Sequence, residues 1–497
     1  MGERMIIVGG GVSGLTAGIF AQINGYETTI FEKNKVPGGL CTGWQRQGYT
    51  VDGCIHWLLG TQPDSVFFRA WQAVGVDLTD AHPFEMFYQL EDGDTRLVWH
   101  SNLERLEDEF LTHAPEDAAR MKRLLADART FATLDLPIEQ PRDLVRWKDS
   151  LQELWSLRSF VRPMRKYQGQ TVEEYCSRFQ NTWLRRLLTR FIPGEYSMLT
   201  LLATLAALHT GDIGFPKGGS LQVASDMAAK YEALGGQLHL GQPVAKILIE
   251  GQQAVGVQLC DGTKVSADIV VAGVDAHHLF RQLLGDAHTP AASERNFRHL
   301  DTFTSCQVSF GVDADLANEP HTVYLRLPKP VNLAGLENKN MNFRHYCYDT
   351  DLQPPGKSLV VSTIFADYDH WAALAQNPAA YKTAKEQLAL LTQEQLEKRF
   401  PQVSGHIEMV DVATPLTYQR YTNLWRGSYM GWTIGPKEEP VQLPWQHPDL
   451  SGLYMVGQWF DSMAGLPGSM LSGRYLIQRL CHRDNRAFAV IPGAVPS

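Results

Sequence analysis

The first residues whose types and spacing suit chemistry are Gly9-Gly10-Gly11-Val12-Ser13-Gly14, a G-x-G-x-x-G run, followed by Glu32 and Lys33. Gly9 permits a tight turn, Gly11 lets backbone approach a pyrophosphate, and Gly14 lets a helix pack closely on a strand. The amides of Val12 and Ser13, at the positive end of a helix dipole, then face phosphate oxygens. Glu32 falls at the end of the next strand, where a carboxylate accepts hydrogen bonds from ribose hydroxyls. The chemistry implied is the capture of a dinucleotide through its ADP half.

The flanking elements must supply that geometry. Met5 to Val8 is a short apolar run ending in glycines, the pattern of a buried parallel strand. Ser13 to Asn24 has helical period with small residues along one side, Gly25 marks its end, and Thr28 to Phe31 is a β-branched, aromatic strand. Further on, residues 101–209 read as helical: Leu103 to His113, Asp117 to Ala132 and Val172 to Phe191. Gln237 to Leu240, Ala245 to Glu250, Val255 to Cys260 and Ala267 to Ala272 read as strands, with turns at Gly251 and Asp261-Gly262. Strands such as Gln307 to Val312 and Ser358 to Phe365 follow, with one helix at Ala379 to Phe400. The chain closes on a strand, Gly452 to Val456, a Gly-rich turn and a helix through Leu480.

Two further motifs carry a resemblance. Val36-Pro37-Gly38-Gly39-Leu40, directly after the ribose acid, is similar to the two-dinucleotide-binding flavoproteins, in which that glycine pair passes close to FAD. Leu453-Tyr454-Met455-Val456-Gly457-Gln458, Asp461 and Gly465-Leu466-Pro467-Gly468-Ser469-Met470 resemble the C-terminal flavin motif of the same group. A helix starting near Pro467 to Ser469 can face the N1/C2-carbonyl side of the flavin and stabilise its reduced, negative form. The resemblance implies non-contiguous segments forming one FAD domain, with Val244 at the adenine.

Within that group the chain most resembles the phytoene desaturase, carotenoid isomerase and retinol saturase family. Gly48-Tyr49-Thr50-Val51-Asp52 and Gly53-Cys54-Ile55-His56-Trp57 resemble the segment that leads to the flavin. Phe215-Pro216-Lys217-Gly218-Gly219 and Thr414 to Tyr421 resemble further family turns. The resemblance implies that His56 and Trp57 face the flavin, and His56 is the candidate catalytic residue for proton handling near neutral pH. Leu40 departs from the pattern, because many relatives carry Arg there; a backbone role for the turn survives and an Arg–phosphate contact does not.

Bulk properties narrow the field. A formal charge of -9 gives no footprint for nucleic acid. The seven cysteines are scattered without a Cys-x-x-Cys pair, which argues against zinc, a disulfide framework and a dithiol redox centre. No histidine has metal-ligand spacing with acids, so no metal is expected. A second G-x-G-x-x-G for NAD(P)H is absent. The first strand begins too early for a signal peptide, and no apolar run reaches the roughly 20 residues of a membrane span. A cytoplasmic protein is expected. Peripheral membrane contact would come through the basic amphipathic stretch Trp183 to Ile192, in which Leu184, Leu187, Leu188 and Phe191 accompany Arg185, Arg186 and Arg190.

The expected architecture is α/β: a discontinuous Rossmann-type FAD-binding domain (1–75, 210–300 and 441–497), a helical lid (76–209) and an inserted α+β substrate domain (301–440). The expected activity is FAD-dependent oxidation, reduction or cis–trans isomerisation at carbon–carbon bonds of a long apolar polyene or lipid. The electron donor or acceptor is external and unspecified. A flavin amine oxidase-like enzyme and a non-catalytic flavin-binding scaffold are the rival readings.

Overall fold

In the computed structural model, residues 3–134, 137–145, 160–192, 194–433, 443–460 and 465–491 are described. Arg4–Val8, with four of its five residues buried, is the central strand of a five-stranded parallel sheet. Glu27–Glu32 and Gln237–Leu240 lie in turn on one side, and Ile269–Ala272 and Leu453–Met455 on the other. All four pairings are parallel, so each connection needs a crossover, and the strands come from the two chain ends and the middle. The helices Val12–Ile23 and Gly465–Arg483 pack against one another; a Cβ at Gly473 would lie 2.5 Å from the Ser13 carbonyl oxygen. The first and last segments of the chain thus close over one site.

A three-stranded antiparallel meander, Val244–Glu250, Gln253–Leu259 and Lys264–Ser266, sits beside this sheet. The second large unit is a seven-stranded sheet in the order Ile407–Ala413, Ser305–Val312, Ser358–Phe365, Leu336–His345, Thr322–Leu333, Met86–Asp92, Thr95–His100. Every residue of Ser305–Val312 is buried, as a central strand covered on both faces requires. Met86–Asp92 and Thr95–His100 come from the stretch assigned to the lid, and Met86–Asp92 joins the sheet through a parallel pairing with Thr322–Leu333.

The stretch read as one helix from Val172 to Phe191 is two. Thr171 and Glu174 form a capping box for Val172–Cys176, and Asn181 caps Thr182–Phe191 by accepting the amides of Trp183 and Leu184. The asparagine side chain competes with the helix for backbone donors, which breaks it there. The amphipathic second helix is also placed differently from the expectation. Leu184, Leu187 and Leu188 are fully buried, and Phe191 stacks on Trp99 at 4.2 Å. Burying each leucine stabilises the fold by about 1.5–3 kcal/mol, so this apolar face belongs to the core and not to a lipid surface. None of the described helices is long and apolar enough to cross a membrane.

Candidate active site

At the N-terminus of Val12–Ile23 no side chain caps the helix and no acid lies in its first turn. A Cβ added at Gly11 would meet nothing nearer than the Gly38 carbonyl oxygen, at 3.8 Å, so space remains in front of the amides. Gly14 is different: its Cβ would lie 2.1 Å from the Gly9 carbonyl oxygen, the close helix–strand approach the motif exists for. The Gly38-Gly39 turn closes over this mouth, with the Gly38 amide donating to the Gly10 carbonyl at 2.8 Å. Gly38 has φ +111°, and a Cβ there would strike the Cys41 carbonyl at 2.1 Å, so no other residue fits. Leu40 packs against a core cluster beside the meander.

Glu32 is buried at the end of its strand. Its Oε2 accepts the Gly10 amide at 2.8 Å, and its Oε1 accepts the amide and side chain of Asn34. Burial pushes the carboxyl up, against the pull of those donors and of Lys33. Lys33 itself turns toward Asn423 and the Arg420 carbonyl, at 2.6 and 2.9 Å. Val244, half-buried, opens the meander just after Gln242, whose amide donates to the Glu32 carbonyl.

On the far side, Gly457 adopts φ +112° facing Ser13, and its amide donates to Ser472 Oγ at 2.8 Å. That bond ties the end of strand Leu453–Met455 to the helix Gly465–Arg483 that begins at Gly465, Leu466 and Pro467 and runs on through Ser469 and the buried Met470. Gln458 is half-buried beside Gly431. Asp461 lies outside the described residues. Uncapped helix amides with free space before them, a buried carboxylate at the end of the next strand and a strand–turn–helix from the opposite chain end together fit FAD.

The substrate side begins at the hairpin Gly43–Arg46 and Tyr49–Asp52. Asp52 is buried and its carboxylate accepts four donors: the amides of Cys54, Ile55 and Ser220, and Ser220 Oγ. Burial still pushes its carboxyl upward. Gly219, φ +66°, passes so close that a Cβ would lie 2.4 Å from Asp52 Oδ2; this is the task of the Pro-Lys-Gly-Gly turn. The clamp fixes the turn that carries His56. Burial, and then the Arg344 guanidinium, hold the His56 imidazole well below its ordinary range, so it is neutral at pH 7.

His56, Tyr418 and Tyr429 are half-buried. Tyr418 lies near Cys54 and Tyr429, and Tyr429 near Tyr196 and Tyr324; burial pushes the phenols of Tyr418, Tyr429 and Tyr196 up, Tyr196 to about 12. Tyr324 meets Tyr88 edge-on at 5.1 Å, and Trp57, 36% exposed, meets Phe87 at 6.3 Å. Trp57 therefore stands on an aromatic rim.

Local spacing concealed two members of this site. Arg344 comes from the far sheet, and nothing near His56 in sequence announces it. Cys41 and Cys54 flank the hairpin: Gly43 pairs with Asp52, the Gly53 amide donates to the Thr42 carbonyl, and the two thiols meet across the next position. The two cysteines are free and lie near one another across the hairpin without a Cys-x-x-Cys. The neighbouring Cys54 thiol, and then burial, hold the Cys41 thiol well above its usual range, so it stays protonated and unreactive.

A parallel sheet with a Gly-rich mouth, closed by a C-terminal strand–turn–helix and roofed by an antiparallel substrate sheet, defines a flavoprotein oxidoreductase fold. Residues 12–476 match the family described as flavin containing amine oxidoreductase, and the chain belongs to it. It is 25% identical to a phytoene desaturase (lycopene-forming) of Paracoccus sp., over 96% of this chain and 97% of that protein. With a chloroplastic prolycopene isomerase of Arabidopsis thaliana the identity is 22%, over 91% and 78%. An oxidoreductase from Methanosarcina mazei shares the fold with a TM-score of 0.61 at 15% identity, covering 96% of this chain and all of the other. Cyclohexylamine oxidase from Brevibacterium oxydans does so at 0.60 and 14%, over 98% and 100%. The protein is an FAD-dependent oxidoreductase.

Proposed function

We propose that this enzyme acts on carbon–carbon bonds of a long apolar polyene of the carotenoid or retinoid type. The observation that carries the reading is an aromatic cluster, Trp57, Phe87, Tyr88 and Tyr324 in ring-to-ring contact, beside a neutral histidine at the end of the segment leading from the Gly38-Gly39 turn. Relatives named as a phytoene desaturase and a prolycopene isomerase support the substrate class. When bound, FAD supplies hydride chemistry at its ring, held by the helix amides at Gly11 to Gly14, by Glu32 and by the Gly457 turn.

The chain's own residues do the rest. Tyr88, Tyr196, Tyr324 and Tyr429 exclude water and align an extended apolar chain. Burial pushes the phenols of Tyr88, Tyr196 and Tyr429 up, so these three stay protonated at neutral pH and do not compete as bases. His56 enters neutral and can accept a proton at an imidazole nitrogen. Arg344 repels the resulting imidazolium, so the proton is passed on and not kept. Desaturation, saturation and cis–trans isomerisation all use this arrangement. Polyenes are nearly insoluble in water, so the substrate reaches these residues from a lipid phase.

The test is an anaerobic flavin-bleaching screen of the purified protein, with polyenes and primary amines offered in parallel. Bleaching by polyenes alone is expected. Bleaching by amines alone would replace the reading with an amine oxidase; no bleaching by any, together with no reoxidation of chemically reduced flavin by polyenes and no polyene isomerisation, would favour a scaffold.

A further inference from the structure

The helix Thr182–Phe191 and three interior strands of the seven-stranded sheet flank a cavity of about 230 Å³. Arg186 and Arg190, four apart on the helix, enter from one side. Arg326 and Asn340, paired across the strands Thr322–Leu333 and Leu336–His345, enter from the other. The lining holds one carboxylate, Asp92, which accepts from Arg186 at 3.2 Å and faces Arg326 at 3.5 Å. Three guanidiniums against one carboxylate leave two positive charges unmatched.

Arg190 is the more telling of these. Among the described residues no carboxylate pairs with it, and its charged-state neighbours are the phenols of Tyr324 and Tyr88. Burial pushes its guanidinium down from the ordinary range, so carrying this charge costs free energy that its neighbours do not offset. A half-buried cation without an acid beside it is stabilised when an anion is brought to it. Trp183 completes the lining, half-buried on the same helix.

We propose that this cavity binds a phosphate group. The planar forks of Arg186, Arg190 and Arg326 match phosphate oxygens in pairs, and the Asn340 amide adds a neutral donor. The two unmatched charges equal those of a phosphate monoester and exceed that of a diester. Phosphate of this kind reaches the protein either in a phospholipid headgroup or in a soluble phosphate ester. The cavity lining includes none of His56, Trp57, Tyr418 and Tyr429. It is therefore an ancillary site, and phosphate binding there is read without turnover of the flavin.

The flavin-loaded protein is titrated calorimetrically with inorganic phosphate and with glycerol 3-phosphate, and floated with phosphatidylglycerol or phosphatidylcholine vesicles. Wild type is expected to bind phosphate. Arg190→Gln and Arg326→Gln should each weaken it roughly tenfold or more, the loss of one charge-assisted contact, with flavin content unchanged. Retention on phosphatidylglycerol vesicles that inorganic phosphate competes away supports the headgroup as source; phosphate binding without vesicle retention supports a soluble ester. Wild type that binds none of the probes, or variants that bind as wild type does, would overturn the proposal. Should Arg190→Gln fail to fold, the surface-reaching Arg326→Gln carries the comparison alone.

Discussion

Ser220 donates twice to one carboxylate: its amide reaches Asp52 Oδ2 at 2.6 Å and its Oγ reaches Oδ1 at 2.7 Å. The same Oγ also accepts the Ile55 amide at 2.8 Å, so a single side chain ties the start of helix Gly219–Ala233 to the turn before His56. Ser220→Ala removes a donor from a buried charge and should cost about 1.5–3 kcal/mol. Because it loosens the turn carrying His56, turnover should fall while FAD occupancy holds. An unchanged denaturation midpoint would show that the clamp contributes nothing.

Gly11 and Gly14 should separate binding from folding. Gly11→Ala places its Cβ in free space, so the protein should keep its stability within about 1 kcal/mol and yet emerge colourless. Gly14→Ala drives a Cβ against the Gly9 carbonyl and should fail to accumulate as folded protein. Absorbance near 450 nm (approximate, for oxidised flavin) and circular dichroism of both variants decide the matter. A yellow Gly11→Ala protein contradicts the pyrophosphate assignment.

His56→Gln keeps a hydrogen-bonding side chain and loses the ability to shuttle protons. With FAD occupancy and melting temperature retained, turnover should drop roughly 10²-fold. A variant that loses flavin or stability first, with turnover per flavin intact, would reduce His56 to a supporting residue.

His321 gives a pH signature. Its Nε2 donates to the Met86 carbonyl at 2.7 Å, its ring stacks on Phe84 at 4.7 Å, and burial pushes its pKa down to about 3. The unfolded chain takes up this proton near pH 6.5, the folded one only near pH 3, so stability falls as pH drops below 6.5. Between pH 6.5 and 5 the loss is about 1.5 pK units, or roughly 2 kcal/mol. His321→Phe keeps the ring and should show a flatter profile over that window, though a lower midpoint at pH 7. Equal slopes for the two proteins in urea titrations at pH 7 and 5 would exclude His321 as the source.

Glu32→Ala removes the ribose acceptor and leaves the Gly10 amide without its partner. FAD affinity should weaken by about 1.5–3 kcal/mol, the value of a hydrogen bond to a charged acceptor. Flavin release during dilution measures it, and wild-type retention in the variant would move the ribose elsewhere.

Much of the flavin site could be read from the chain because its constraints are local. Gly9 to Gly14 must turn, approach and pack within six residues, and Glu32 ends the adjacent strand, so residue type and spacing carry the geometry. The helix Pro378–Arg399 and the strands Ser305–Val312 and Ser358–Phe365 were legible by period for the same reason. What decides the chemistry is non-local. The neutrality of His56 depends on Arg344, a residue of another sheet, and on desolvation that exists only after the domains close. The meeting of Cys41 with Cys54 follows from hairpin register, and the burial of Leu184, Leu187 and Leu188 from a surface that local amphipathicity cannot foresee. Arg186, Arg190 and Arg326 come to line one cavity only when a helix docks on the seven-stranded sheet. Backbone geometry is written residue by residue, whereas charge state and desolvation are properties of the packed whole, so only the tertiary structure decides them.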